Sequence, residues 1–226
     1  MPHSLRQTLS RQDTFTVRNK MDKNEVIRFF DIHSTTWDEN MEKDDSKMNE
    51  ILDVAKISSG KSVLDIACGT GVMIDYYIER NVSKVTGVDI SSKMIEIARN
   101  KFKKYDFIDF LCEDAEEFNF KNQYDRVMVF NAFPHFPNPK ALIKNLAKAV
   151  KSGGTVTVAH DRGRKDLDNH HKSIQASKIS NGLISENALE EIFKSAGLVD
   201  IYKKATENIY IVSGVSQDLR LSRRLE

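Results

Sequence analysis

The stretch Val63-Leu64-Asp65-Ile66-Ala67-Cys68-Gly69-Thr70-Gly71 decides how the rest of the chain is read. It opens as a short apolar run of strand type over 62–67, and residues 72–80 beyond it carry helical spacing. Strand, glycine turn and helix in that order put Gly69 and Gly71 where the backbone turns sharply and a ligand can come close. The first N–H groups of the following helix add partial positive charge there. That field suits a phosphate or a carboxylate. The next apolar run ends in Val85-Thr86-Gly87-Val88-Asp89, with Asp89 standing 18 residues after Gly71. A carboxylate at the end of a second strand can accept hydrogen bonds from a ribose diol. The dinucleotide fingerprint G-x-G-x-x-G is not met. The frame reads Ala67-Cys68-Gly69-Thr70-Gly71, with an acidic residue, Asp65, ahead of it.

Working outward, helical stripes are expected over 22–32 and 44–57, then strands over 84–88, 107–112, 124–130 and 155–160. Helices are expected over 91–103, with Ser91 as N-cap, over 139–150, with Pro139 near the first turn, and over 185–196. Ser152-Gly153-Gly154 reads as a break before the fifth strand. Two closing strands, 198–203 and 208–213, are separated by the hairpin-like spacing of 205–207. Strand–helix alternation with near-continuous apolar strands predicts an α/β doubly wound, Rossmann-like fold. The expected sheet is mostly parallel and seven-stranded, with an antiparallel edge strand and helices on both faces.

Composition excludes several classes. The 226 residues are 40% hydrophobic and 30% charged, ordinary for a globular chain large enough to fold without disulfides or a structural metal. No apolar run approaches the roughly 20 residues that span a bilayer. Cys68 and Cys112 form no CxxC pair, which argues against a zinc ribbon, and the cytoplasm is the expected compartment. The net charge of +1 is uneven. Residues 1–20 carry Arg6, Arg11, Arg18 and Lys20 against Asp13, so the body of the chain is acidic between basic ends. Residues 1–20 resemble a transit peptide in composition, but are read as a disordered tail or an extension ahead of Met21. Residues 21–213 are read as a single domain whose first part, 21–60, is a helical cover, and 214–226 as a C-terminal tail. Near-neutral charge offers no general drive toward nucleic acid.

The motif order resembles class I S-adenosylmethionine-dependent methyltransferases over about residues 22–213. Asp65-x-Ala-Cys-Gly-Thr-Gly71 and Asp89 match that family's first two motifs. Glu113-Asp114-Ala115 follows the third strand, Asn131-Ala132-Phe133-Pro134-His135-Phe136 the fourth, and Lys151-Ser152-Gly153-Gly154 precedes the fifth. Ala67 stands where the family often has its first glycine. The resemblance implies that Asp65, Ala67 and the Gly69–Gly71 backbone hold the methionyl part of the cofactor. It implies that Asp89 takes the ribose hydroxyls, Ile90 and Met94 pack on the adenine, and Asp114 accepts from the adenine amino group with the Ala115 N–H nearby. Asn131 is implied to approach the methionyl or sulfonium end. The implied activity is methyl transfer to a small-molecule acceptor through O, N or S, by in-line displacement in which the protein chiefly positions the reactants. A Rossmann-type NAD-dependent oxidoreductase, or a non-catalytic cofactor-binding protein with the same fold, remains the alternative. Monomer and homodimer both remain open, and no membrane partner is expected.

The acceptor side is marked by histidines. His160 and His135 are candidate general bases, since imidazole titrates near neutral pH. His135, His160 and one of His170 or His171, with Asp161, could instead hold a divalent metal, or these histidines could be structural. His160 is favoured, because it is expected at the tip of the fifth strand. Arg162 and Arg164 flank Gly163 and suit a substrate carboxylate or phosphate, or else form a charged surface loop. Phe30, His33 and Trp37 belong to the N-terminal cover and are candidate acceptor contacts, with Trp37 favoured as the lid residue by position.

Overall fold

The computed structural model describes residues 21–40, 44–120, 123–170 and 176–217. Residues 1–20, His171 and the end of the chain from 218, all named above, lie outside the described residues. The elements run α1 (Lys23–His33), a 3-10 turn (Ser34–Asn40), α2 (Asp45–Val54), β1 (Ser62–Ile66), α3 (Ile74–Glu79), β2 (Lys84–Asp89), α4 (Ser92–Phe102), β3 (Ile108–Cys112) and β4 (Tyr124–Phe130). They continue through α5 (Pro139–Ala149), β5 (Val150–His160), α6 (Arg164–His170), α7 (Ala176–Ile179), α8 (Glu186–Ser195), β6 (Leu198–Ala205) and β7 (Tyr210–Ser216).

Local sequence explains the helix starts. Asp22, Asp44, Ser91, Asn138 and Ser185 each sit at an N-cap and accept a backbone N–H with the side chain. Pro139 occupies the first turn of α5, where its missing N–H costs nothing.

The seven strands lie in the order β3-β2-β1-β4-β5-β7-β6. β1 pairs in parallel with β2 and β4, β2 with β3, and β4 with β5. The antiparallel pairing expected at one edge is made by β7, which runs between β5 and β6. The chain leaves β1 toward β2 and β3 and returns to β4 on the other side, so a crevice opens between β1 and β4 at the strands' carboxyl ends. Alternate strand residues feed two cores. Val63, Val85 and Met128 pack with α2, α3 and α4, whereas Leu64, Val88, Val127 and Val129 pack with α5 and α8.

Two boundaries differ from expectation. Ser152-Gly153-Gly154 does not interrupt the chain between helix and strand, because β5 already starts at Val150. The register slips there from Tyr124 opposite Val150 to Arg126 opposite Thr155, so the glycine stretch is a bulge inside the pairing. The last strand passes residue 213 and ends at Ser216, because Val215 and Ser216 pair with Val199 and Leu198. Gly214 packs there, where a Cβ would lie 2.9 Å from Phe193.

Candidate active site

A cavity of about 520 Å³ opens at the carboxyl ends of β1 to β5 beneath α1 and the 3-10 turn. The loop after β1 forms its floor. Ala67 and Gly69 both adopt left-handed φ, +53° and +54°. The alanine therefore occupies the conformation for which glycine is the easier residue. A Cβ on Gly69 would meet nothing nearer than Trp37 Nε1 at 3.9 Å, so the loop faces open space. Gly71 has another role. Its φ is +92°, and a Cβ would come within 2.5 Å of Phe102, so glycine here admits the ring of α4. Gly71 does not line the cavity.

Asp65 does not line it either. It is 1% exposed and lies beneath the loop. Burial pushes its carboxyl up to about 8, against the opposing influence of the nearby Tyr77 hydroxyl. The expected contact between Asp65 and a ligand is therefore not formed by this geometry; Asp65 underlies the loop from the core side. Asp89 does reach the cavity. One carboxylate oxygen accepts from the Gly69 N–H at 2.9 Å and the other from the Ser91 N–H at 2.8 Å. Burial raises its pKa to about 6, and those backbone donors pull the other way.

Ile90, Met94, Asp114 and Ala115 line the same end. Sequence reasoning missed the partner of Asp114. Lys23, on the first turn of α1, reaches across to Asp114 at 2.5 Å, Glu117 at 2.8 Å and Glu116 at 3.0 Å. Burial works against its charge, but the three carboxylates outweigh it and raise the pKa. The signal available in sequence was the acidic run Glu113–Glu117, which called for a cation without saying which.

On the opposite side, Phe30, His33 and Trp37 all line the cavity, as does His135. Phe30 sits edge-on to Trp37 and to His135, with centroids 5.3 and 5.2 Å away. His135 Nδ1 lies 2.7 Å from the Ile179 carbonyl oxygen. Only an N–H can donate to that oxygen, so in the neutral ring Nδ1 carries the hydrogen and Nε2 is the basic nitrogen.

His160 is corrected. It is 1% exposed, packs edge-on to Tyr210 at 6.0 Å and is not a lining residue. Strand alternation puts it on the same face as Val156 and Val158, turned into the sheet's second core. Arg162 lines the cavity, whereas Arg164 starts α6 on the exposed side and does not. Among the described residues no group of three or more His, Cys, Asp or Glu could hold an ion, and His171 and the side chain of His170 lie outside them. Asn131 and Asp161 both line the cavity and pair with each other. No described helix is long and apolar enough to cross a membrane.

A family model for a methyltransferase domain matches residues 63–154. The ubiquinone biosynthesis O-methyltransferase of Vibrio cholerae is 32% identical over 151 residues, covering 62% of this chain and 61% of that protein. Residues 63–154 therefore match a methyltransferase domain, in keeping with the resemblance read from the sequence. The chain spans about three-fifths of the length of the curated relatives it matches. The methyltransferase domain extends from β1 into β5 and supplies the cavity floor, while α1 and the 3-10 turn that roof it lie outside the matched stretch. The fold agrees. N-methyltransferase NodS from Bradyrhizobium japonicum, in complex with S-adenosyl-L-homocysteine, superposes with a TM-score of 0.68 at 13% identity, over 86% of this chain and 100% of NodS. The cyclase SpnF superposes with a TM-score of 0.67 at 14% identity, over 85% of this chain and 96% of SpnF. At such identities the likeness speaks for the methyltransferase fold alone.

Proposed function

We propose that this chain transfers a methyl group from S-adenosylmethionine to a small-molecule acceptor. The observation that carries this reading is the convergence of the Gly69 loop, Asp89 and Asp114 on one cavity at the topological switch of a methyltransferase sheet. Its volume of about 520 Å³ lies within the range of small-ligand and cofactor sites. The open backbone at Gly69 and the two polar ends suit an elongated nucleoside cofactor. Asp89 would accept from the ribose hydroxyls, Ile90 and Met94 would flank the adenine, and Asp114 with the Ala115 N–H would read its edge. When bound, the cofactor supplies a methyl carbon activated by its sulfonium. The chain's own task is to hold the acceptor in line and exclude water.

An oxygen acceptor is the reading with most support. The curated relative from Vibrio cholerae is an O-methyltransferase by name. The wall of Phe30, Trp37, His135 and Phe136 offers an aromatic face to a planar substrate. His135 Nε2 is the candidate base for a hydroxyl proton. Calorimetry provides the test: S-adenosylhomocysteine should bind, and NAD should not. Binding of NAD in place of the nucleoside product would overturn the reading in favour of an oxidoreductase. Product binding with no transfer of labelled methyl to any acceptor would favour a non-catalytic role.

A further inference from the structure

Asp161 stands one residue beyond β5, and Asn131 one residue beyond β4. Asn131 adopts a φ of +51°, a left-handed conformation that asparagine tolerates better than most residues. Its backbone N–H donates to the Ala159 carbonyl at 2.9 Å. Both ends of its side-chain amide then go to Asp161. Nδ2 donates to Asp161 Oδ1 at 3.0 Å, and the amide oxygen accepts the Asp161 backbone N–H at 3.2 Å. Lys47 of α2 adds a third hold, donating to the Asp161 carbonyl oxygen at 3.1 Å. Two separate elements therefore fix the place of one carboxylate on the cavity wall.

The amide of Asn131 gives one N–H to Asp161 and takes the Asp161 N–H on its oxygen, which fixes its orientation. Asp161 is placed differently. Its Oδ1 takes the Asn131 amide, while no described residue donates to Oδ2. The adjacent Arg162 lies 3.8 Å from Asp166, one turn along α6, and makes no ion pair with Asp161. Asp161 is half-buried and lines the cavity, so its Oδ2 is open both to water and to a donor on a molecule that enters there.

We propose that Asp161 orients the methyl acceptor, accepting through Oδ2 a hydrogen bond from the acceptor's O–H or N–H, and that Asn131 is its positioning residue. The assignment rests on the methyltransferase reading above. It narrows the acceptor to an oxygen or nitrogen that carries hydrogen before transfer. A thiolate or another anion at that atom would be repelled by the carboxylate. During transfer the acceptor's lone pair forms the bond to the methyl carbon. The carbon–sulfur bond breaks, and its electron pair stays on sulfur. The acceptor's proton leaves to the base named above, His135, while Asp161 Oδ2 holds the donor in line.

The test uses the whole chain saturated with S-adenosylhomocysteine. Catechol serves as the O–H probe, benzylamine as the N–H probe and toluene as the control without a donor. At least one donor probe should bind, and toluene should bind at least tenfold more weakly. Asp161→Asn should weaken the bound probe at least tenfold while the affinity for S-adenosylhomocysteine stays within twofold. Asp161→Glu should restore part of the probe affinity. Binding of neither donor probe to the parent protein, or equal binding to the Asn variant, overturns the assignment. So does an Asn variant that loses S-adenosylhomocysteine, which would make Asp161 part of the cofactor site or of the fold. Failure of the parent protein to take up S-adenosylhomocysteine appears before any probe is added, and overturns the methyltransferase reading together with this one.

Discussion

Asp89 joins the β1 loop to the start of α4 through one hydrogen bond to each. Burial raises its pKa from the usual 3.8 to about 6. The proposed hydrogen bonds from ribose hydroxyls favour the ionised carboxylate. Affinity for S-adenosylhomocysteine should therefore fall as pH drops through about 6. Asp89→Asn should bind at least tenfold more weakly at neutral pH and lose that pH dependence; titration calorimetry across the range checks both. Stability moves the opposite way. Because the folded pKa is raised, this carboxyl's contribution is fully present below 3.8 and is lost as pH rises through about 6. The same scale shows why some residues were legible and others were not. Asp89 belongs to a spaced motif, so its place in the cavity could be read from Gly71 onward. His160 also stood at a strand end, but one step of alternation turned it into the core beside Tyr210.

The element that completes the cavity is α1. Its residues were read as a cover from their apolar stripe, and Val26 and Phe30 do line the cavity. What anchors it was not legible. Lys23 ties its first turn to the Asp114–Glu117 segment, and Asp31 accepts from the Ser91 hydroxyl and the Lys93 N–H at the start of α4. Both contacts join residues far apart in sequence, and local spacing carries no record of them. Lys23→Met removes the charge but keeps the length of the side chain. A partly exposed ion pair contributes up to about 1 kcal/mol, so amide exchange in α1 should accelerate roughly two- to fivefold. Exchange in the central strands should be unchanged. Mass-spectrometric exchange over 23–33 measures it, and uniform acceleration throughout the chain would count against α1 as a separately anchored cover.

For the molecule as a whole, ligand binding to the cavity joins the cover, the β1 loop and the strand ends into one cooperative unit. A ligand that binds only the folded chain at 100 times its dissociation constant stabilises it by about 2.7 kcal/mol. For a chain of this size, that corresponds to a rise in melting temperature of about 5–10 °C with S-adenosylhomocysteine. A thermal melt monitored by circular dichroism checks the figure, and NAD at the same concentration should produce no shift. Strand and helix types, the doubly wound fold and the glycine-loop-to-Asp89 constellation were already present in the local pattern, because each depends on residues close together or on a fixed spacing. The Lys23 latch, the burial of Asp65 and His160, and the Asn131–Asp161 pair had to await the folded chain. Each depends on which face of a strand a side chain takes, or on which distant element comes to rest beside it, and tertiary packing settles both.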